Sequence, residues 1–269
     1  MAIINVSQEQ EGGTEFIPKE ITKLSLKEVS YSVGDNNILD NVSLEFHKGR
    51  FYNLIGYSGS GKSTTFKVIS KLILPDKGSI SLNDKIINDV MEWRKAIALV
   101  SQNTEFINGS IRNNILYGVS NDIDNDVVMN LADEVGLSNT INRLPNGLEE
   151  KVSSSSSILS GGEKQRIALI RGYLSDKPVL LIDEVSSNVD AKNDHLIYKF
   201  LKTHASDRIV ITITHKLSNL DDGDDIVIMD NGRVVDMGSR SLLRRKSSIF
   251  TELEDYYLNS KTDLELQNV

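Results

Sequence analysis

Residues 56–63 read Gly-Tyr-Ser-Gly-Ser-Gly-Lys-Ser, with an apolar run before them, FYNLIG (51–56), and helical spacing after them, FKVISKLI (66–73). No other stretch narrows the possible folds as much. The octet fits G-x-x-x-x-G-K-[ST] at each specified position, in the order of strand, glycine loop and helix that a phosphate-binding loop requires. Glycines let backbone N–H groups turn inward and approach phosphate oxygens, and the helix N-terminus adds positive potential. Lys62 is suited to pair with β/γ-phosphates and the Ser63 hydroxyl to ligate Mg²⁺. The expected cradle is Gly56, Ser58, Gly59, Ser60, Gly61, Lys62, Ser63 and Thr64.

The rest of the chain supplies a sheet for this loop. LSLKEVSYSV (24–33) and ILDNVSLEF (38–46) alternate apolar and polar residues around GDNN, as two strands about a turn. VLLIDE (179–184) and RIVITITH (208–215) read as buried β-branched strands, each preceded by a helical segment. IVIMDNGRVVDMG (226–238) reads as a hairpin about Asn231-Gly232. From Asn103 to about Leu159 helical spacing dominates, with VVMNLADEVGL (127–137) amphipathic. Strands alternating with helices predict an α/β fold with a mostly parallel sheet covered on both faces. Ligands bind such sheets outside the carboxyl ends of the strands, so Asp183 and Glu184, closing the strand VLLIDE, face the same crevice as the loop. Asp183 is placed to hold a Mg²⁺ shell, and Glu184 to orient or deprotonate an attacking water.

Composition removes several alternatives. The 269 residues carry a net charge of −8, which argues against a broad nucleic-acid surface. With no cysteine, disulfides, thiolate catalysis and cysteine-held zinc are excluded. No apolar run approaches the roughly 18–20 residues that cross a bilayer, and the opening MAIINVSQEQEGG has neither the basic start nor the apolar stretch of a secretory signal.

GYSGSGKST, SQ (101–102), LSGGEKQR (159–166), VLLIDE, SSNVD (186–190) and ITH (213–215) together resemble the nucleotide-binding domain of ABC transporters, over about residues 23–253. The resemblance implies a P-loop NTPase (RecA-like) sheet with antiparallel β elements near the N-terminus and an inserted helical subdomain, about 103–164, carrying the LSGG signature. It implies ATP and Mg²⁺ as cofactors. Gln102 would reach the Mg²⁺ and the attacking water, joining Ser63 and Asp183 as metal ligands, and His215 would contact the γ-phosphate. Ser160, Gly161, Gly162 and Glu163 would head a second anion-binding helix that acts in trans, closing on nucleotide held by a second copy in a head-to-tail homodimer. Asp190 would link the two sites.

EFINGSIRNNILYG (105–118) and GSRSLLRRKSSIFTEL (238–253) resemble exporter-type domains, with Arg244-Arg245-Lys246 a solvated helix face. The resemblance thus implies ATP hydrolysis that drives export through a transmembrane domain, in the same polypeptide or a separate subunit, at the cytoplasmic face of the membrane. Residues 1–22 would be a leader or linker and 254–269 a C-terminal tail. A soluble non-transport ABC ATPase is a second reading, although such proteins usually carry two domains or long inserted arms. A regulatory nucleotide sensor is a third, opposed by the intact Glu184 and His215.

Three features depart from the family pattern. The aromatic residue that stacks on adenine aligns with Val33, while Tyr31 lies two residues earlier on the same strand face and is alternatively a core residue. Asn188-Val189 stands where Ala-Leu is usual before Asp190. The run Ser153–Ser157 replaces a short charged segment that touches the membrane domain, so coupling uses other contacts or the run is a flexible connector.

Overall fold

The computed structural model describes residues 17–102, 105–153, 157–184 and 191–266. Three strands, β1 (Lys23–Val33), β2 (Asn36–His47) and β4 (Lys77–Leu82), form an antiparallel sheet in the order β2-β1-β4. The second sheet has the order β11-β10-β3-β9-β8-β5, made of β3 (Phe51–Ile55), β5 (Ile97–Val100), β8 (Val179–Asp183), β9 (Ile209–Ile213), β10 (Asp225–Asp230) and β11 (Arg233–Gly238). All its pairings are parallel except β10 with β11. The α/β class, the mostly parallel sheet and the antiparallel strands near the N-terminus are therefore as the residues predict.

The parallel strands are apolar throughout because both faces are covered. From β8, Val179 and Leu181 enter one core with Tyr52, Leu54 and the antiparallel sheet. Leu180 and Ile182 enter the opposite core with the helices. Helix α1 (Lys62–Ile69) follows the glycine loop, and α2 (Val90–Lys95) is capped by the Asp89 carboxylate, which accepts from the Met91 and Glu92 amides. Fully buried Trp93 on α2 donates its indole N–H to the Ile69 carbonyl at 2.7 Å, joining α2 to the end of α1. Trp93→Ala is expected to cost about 3–5 kcal/mol of stability, read as a lower urea midpoint; a change under about 1 kcal/mol would mean that the cavity collapses.

Between β5 and β8 lie α3 (Ile111–Ile115), α4 (Asn125–Glu134), α5 (Ser138–Arg143) and α6 (Gly161–Leu174), with a short antiparallel pair of β6 (Gly109–Ser110) and β7 (Lys151–Val152) that brackets α3–α5. The helical reading of 103–159 thus holds for α3–α5 but overlooks that pair, whose strands are too short to leave an alternating pattern. Helix α7 (Ala191–Thr203) precedes β9, and α8 (Arg240–Lys246) and α9 (Ser248–Leu266) close the chain.

The boundary expected at residue 253 falls inside α9, because Glu254 and Tyr257 still pack on the domain. The basic cluster is exposed, as expected, and two of its three side chains are also paired. Arg244 joins Arg240 in gripping the buried Glu254 carboxylate, at 2.7 and 2.8 Å, whereas Lys246 pairs with Asp236. Burial alone would push the Glu254 carboxyl up; the two guanidiniums outweigh it and hold the carboxyl below its ordinary value.

Candidate nucleotide-binding and catalytic site

The glycine loop leaves β3 at its carboxyl end and is fixed by neighbours on three sides. Gly56 has φ +146°, and a Cβ there would overlap the Met229 carbonyl of β10. Only glycine lets the loop start this close to the sheet. Gly61 has φ +101° and directly precedes α1, against Leu39 and the Ile38 carbonyl of β2. From the other side the β10–β11 turn reaches in, with the Gly232 N–H donating to the Ser60 carbonyl at 3.2 Å.

Lys62 is 5% exposed, and its ammonium donates to the Gly56 carbonyl (2.7 Å), the Tyr57 carbonyl (2.9 Å) and Ser60 Oγ (3.2 Å). Burial pushes its pKa down, opposed by the charges of Glu184 and Asp183. Ser58, Gly59 and Ser63 are exposed, and Thr64 is half-buried. Together with Ile38, Glu184 and His215 they line a cleft of about 280 Å³. That volume suits a phosphate chain better than a whole nucleotide.

Glu184 directly follows β8 with φ +51°, a left-handed conformation costing roughly 1–2 kcal/mol for a residue with a Cβ. Its N–H still bonds to the Ile213 carbonyl of β9 at 3.2 Å, so the turn is held by the sheet. The carboxylate meets His215 Nε2 on one oxygen and accepts from Gln102 Nε2 at 2.9 Å on the other. The His215 hydrogen bond, aided by Lys62, holds the Glu184 carboxyl below the ordinary carboxylate range. The neighbouring Asp183 is pushed up, by burial and by the Glu184 charge. Two adjacent carboxylates are thereby set apart: the outer one, at the cleft, is the easier to ionise, and the inner one the harder.

Residues from five segments therefore converge here: Ile38, the loop of Gly56–Thr64, Gln102, Asp183-Glu184 and His215. Among the described residues, none of Ser160, Gly161, Gly162 or Glu163 lines this cleft. They begin α6, where Ser160 Oγ accepts from the Glu163 N–H at 3.3 Å and the Glu163 carboxylate accepts from the Ser160 N–H at 2.8 Å, a reciprocal capping box. The Ser160 hydroxyl proton points to Glu163 Oε2 at 2.9 Å, so it must turn away before it can serve an anion. Thr140 of α5 also donates to Glu163, at 2.6 Å, tying the signature to the helical segment.

Tyr31 is half-buried against the core of the antiparallel sheet, whereas Val33 is 57% exposed at the end of β1. Irregularities on both sides of Tyr31 break the simple alternation that would give the two residues one face. Asp190 and Ser154–Ser156 lie outside the described residues.

Three residues at this site carry no separate prediction from sequence. Ile38 lines the cleft from β2. Gln165 is 2% exposed, and its amide nitrogen is 3.4 Å from the carbonyls of both Gln102 and Glu184. It opens a stretch of α6, 165–170, that is buried all round, so no face pattern marks it. Tyr257, on α9, contacts His215 from 42 residues away, and nothing local to it signals that.

Residues 39–187, more than half of the chain, match the ABC transporter family. The chain belongs to that family. Relatives include the ATP-dependent lipid A-core flippases of Idiomarina loihiensis, 31% identical over 94% of this chain, and of Vibrio parahaemolyticus, 32% identical over 94%. This chain spans 44% of the length of each. A bacterial Atm1-family ABC exporter solved with ATP bound superposes with a TM-score of 0.83 at 30% identity, covering 91% of this chain and 43% of that one. The chain is a domain of that family, with the P-loop NTPase fold predicted for it. Among its described residues, no helix is long and apolar enough to cross a membrane.

Proposed function

We propose that this chain is the motor of an ABC exporter, binding MgATP on Gly56–Thr64 and hydrolysing it with Glu184 as the group that activates water. The observation that carries this reading is the placement of Glu184, whose ionised carboxylate lies between His215 and Gln102 at the mouth of the phosphate cleft. Lys62, already presented at the loop, exchanges its backbone carbonyl partners for β/γ-phosphate oxygens. His215 supports the terminal phosphate.

The oxygen donors suit Mg²⁺, which is held through one or two carboxylates and fills its shell with other oxygens, water and phosphate among them. Ser63 and Asp183 supply a hydroxyl and a carboxylate there, and Gln102 supplies an amide oxygen once it turns from Glu184. The bound ion would neutralise charge on the phosphates, while this chain's residues position the water and accept its proton.

The cleft is completed by a second copy, whose Ser160–Glu163 helix start closes head-to-tail on the same nucleotide. Support comes from the lining of the chain's own cleft, which among the described residues includes none of Ser160–Glu163. A transmembrane domain, in the same polypeptide or separate, converts closure and reopening into export at the cytoplasmic face. The unit that moves is residues 23–253 with the start of α9, Asp190 passing the state of one site to the other. Tyr31 or Val33 meets the base. The names of its relatives offer a lipid as one cargo class for the membrane domain.

Light scattering of Glu184→Gln tests the assembly. Mass is expected to rise from 29.9 kDa without nucleotide to twice that with MgATP. A monomer that demonstrably holds ATP would overturn self-association of this chain.

A further inference from the structure

The His215 ring is held on both sides. Its Nε2 meets Glu184, and its Nδ1 lies 2.6 Å from the hydroxyl of Tyr257. That hydroxyl is also 3.0 Å from the Gly56 carbonyl oxygen, the same atom that accepts from Lys62. A carbonyl only accepts and a hydroxyl has one proton to give. Burial pushes the Tyr257 pKa up, so the hydroxyl keeps that proton. The proton therefore goes to Gly56, and Nδ1–H is the donor to Tyr257; since the ionised Glu184 carboxylate only accepts, Nε2–H donates as well and both ring nitrogens carry a hydrogen in this arrangement. A chain of three groups from three segments results: the His215 ring, the Tyr257 hydroxyl and the first residue of the phosphate loop.

Tyr257 is itself well placed to hold position. Phe250 and Leu253 of α9 pack with Leu217 and Leu220, two and five residues after His215, and Glu254 is clamped by Arg240 and Arg244. The ring of Tyr256 is edge-on to Tyr57 of the phosphate loop, with centroids 5.3 Å apart. Helix α9 thus touches the histidine segment and the loop at once.

We propose that Tyr257 is a positioning residue for hydrolysis: by accepting from His215 Nδ1 and donating to Gly56 it fixes the ring so that Nε2 points at Glu184 and into the phosphate cleft. The proposal rests on the hydrolytic reading above and adds the closing helix to the catalytic arrangement. The ring of Tyr257→Phe keeps the packing and loses only the hydroxyl. Its kcat is expected to fall about tenfold, the effect of one buried hydrogen bond, with the KM for MgATP and the melting temperature nearly unchanged. In a His215→Ala background the same substitution is expected to do nothing further, because the group it positions is gone.

An equal fall in both backgrounds, or wild-type kcat in Tyr257→Phe, would overturn the proposal. Imidazole ¹⁵N NMR of the nucleotide-free chain, which has four histidines, tests the contact without turnover. The His215 Nδ1 signal is expected in the protonated range and to shift towards the unprotonated range in Tyr257→Phe. Identical spectra would overturn the positioning role whatever the rates. Loss of hydrolysis in the unsubstituted chain would instead count against the hydrolytic reading.

Discussion

Glu184→Gln is expected to slow ATP turnover by about 10²–10⁴-fold while leaving MgATP affinity within a few-fold, the range that general bases contribute. Two contacts of the side chain and the backbone of residue 184 itself each support a base rather than a binding group. His215 keeps the carboxylate ionised, Gln102 orients its second oxygen, and the left-handed backbone at residue 184 turns it away from the strand. Glutamine preserves the shape and the acceptor for Gln102 but cannot take a proton from water. Steady-state phosphate release and equilibrium binding, measured on the same preparation, separate the two effects. Turnover within about threefold of the unsubstituted chain would place the base elsewhere.

Lys62→Ala should show the opposite pattern, with MgATP affinity falling about a hundredfold, roughly 2.7 kcal/mol, because charge-assisted contacts to phosphate disappear. The free protein should tolerate this change. In the absence of nucleotide the ammonium serves mainly to satisfy the Gly56 and Tyr57 carbonyls, and Gly56 keeps Tyr257 as a partner. Calorimetric titration checks the affinity, and a thermal melt separates it from misfolding. Unchanged affinity would remove Lys62 from phosphate recognition.

The phosphate loop was legible because its geometry is local: glycines that tolerate positive φ, a helix start and a lysine all fall within eight residues. The strands β3, β8 and β9 were legible for a related reason, since a sheet covered on both faces leaves unbroken apolar runs. β5 is only four residues long, and its apolar run was too short to distinguish from the helix beside it. The partners of Glu184 were placed by likeness to a family rather than by periodicity, because Gln102 and His215 meet it across 82 and 31 residues of chain. Tyr257 and Gln165 show what pattern cannot supply. Each makes its contribution through one polar atom delivered across the fold, and neither changes the hydrophobic period of its own helix. At Tyr31 the alternation rule gave way to irregular pairing in β1, which the sequence does not announce.

The helical segment and the parallel sheet share one uninterrupted apolar interior. Ile111 and Ile115 of α3, Val128 and Leu131 of α4, Ile167 and Ile170 of α6, and Val100, Leu180 and Ile182 of the strands all belong to it. Mechanically, this means that the segment bearing Ser160 has no dry joint about which to swing. Close-packed interiors resist opening, so displacements within one chain must proceed by small sliding between α3, α4 and α6. A push delivered to the outer helices would therefore arrive at Ser160 with little lost to slack, and the described helices and strands that share this interior would transmit load as a stiff body.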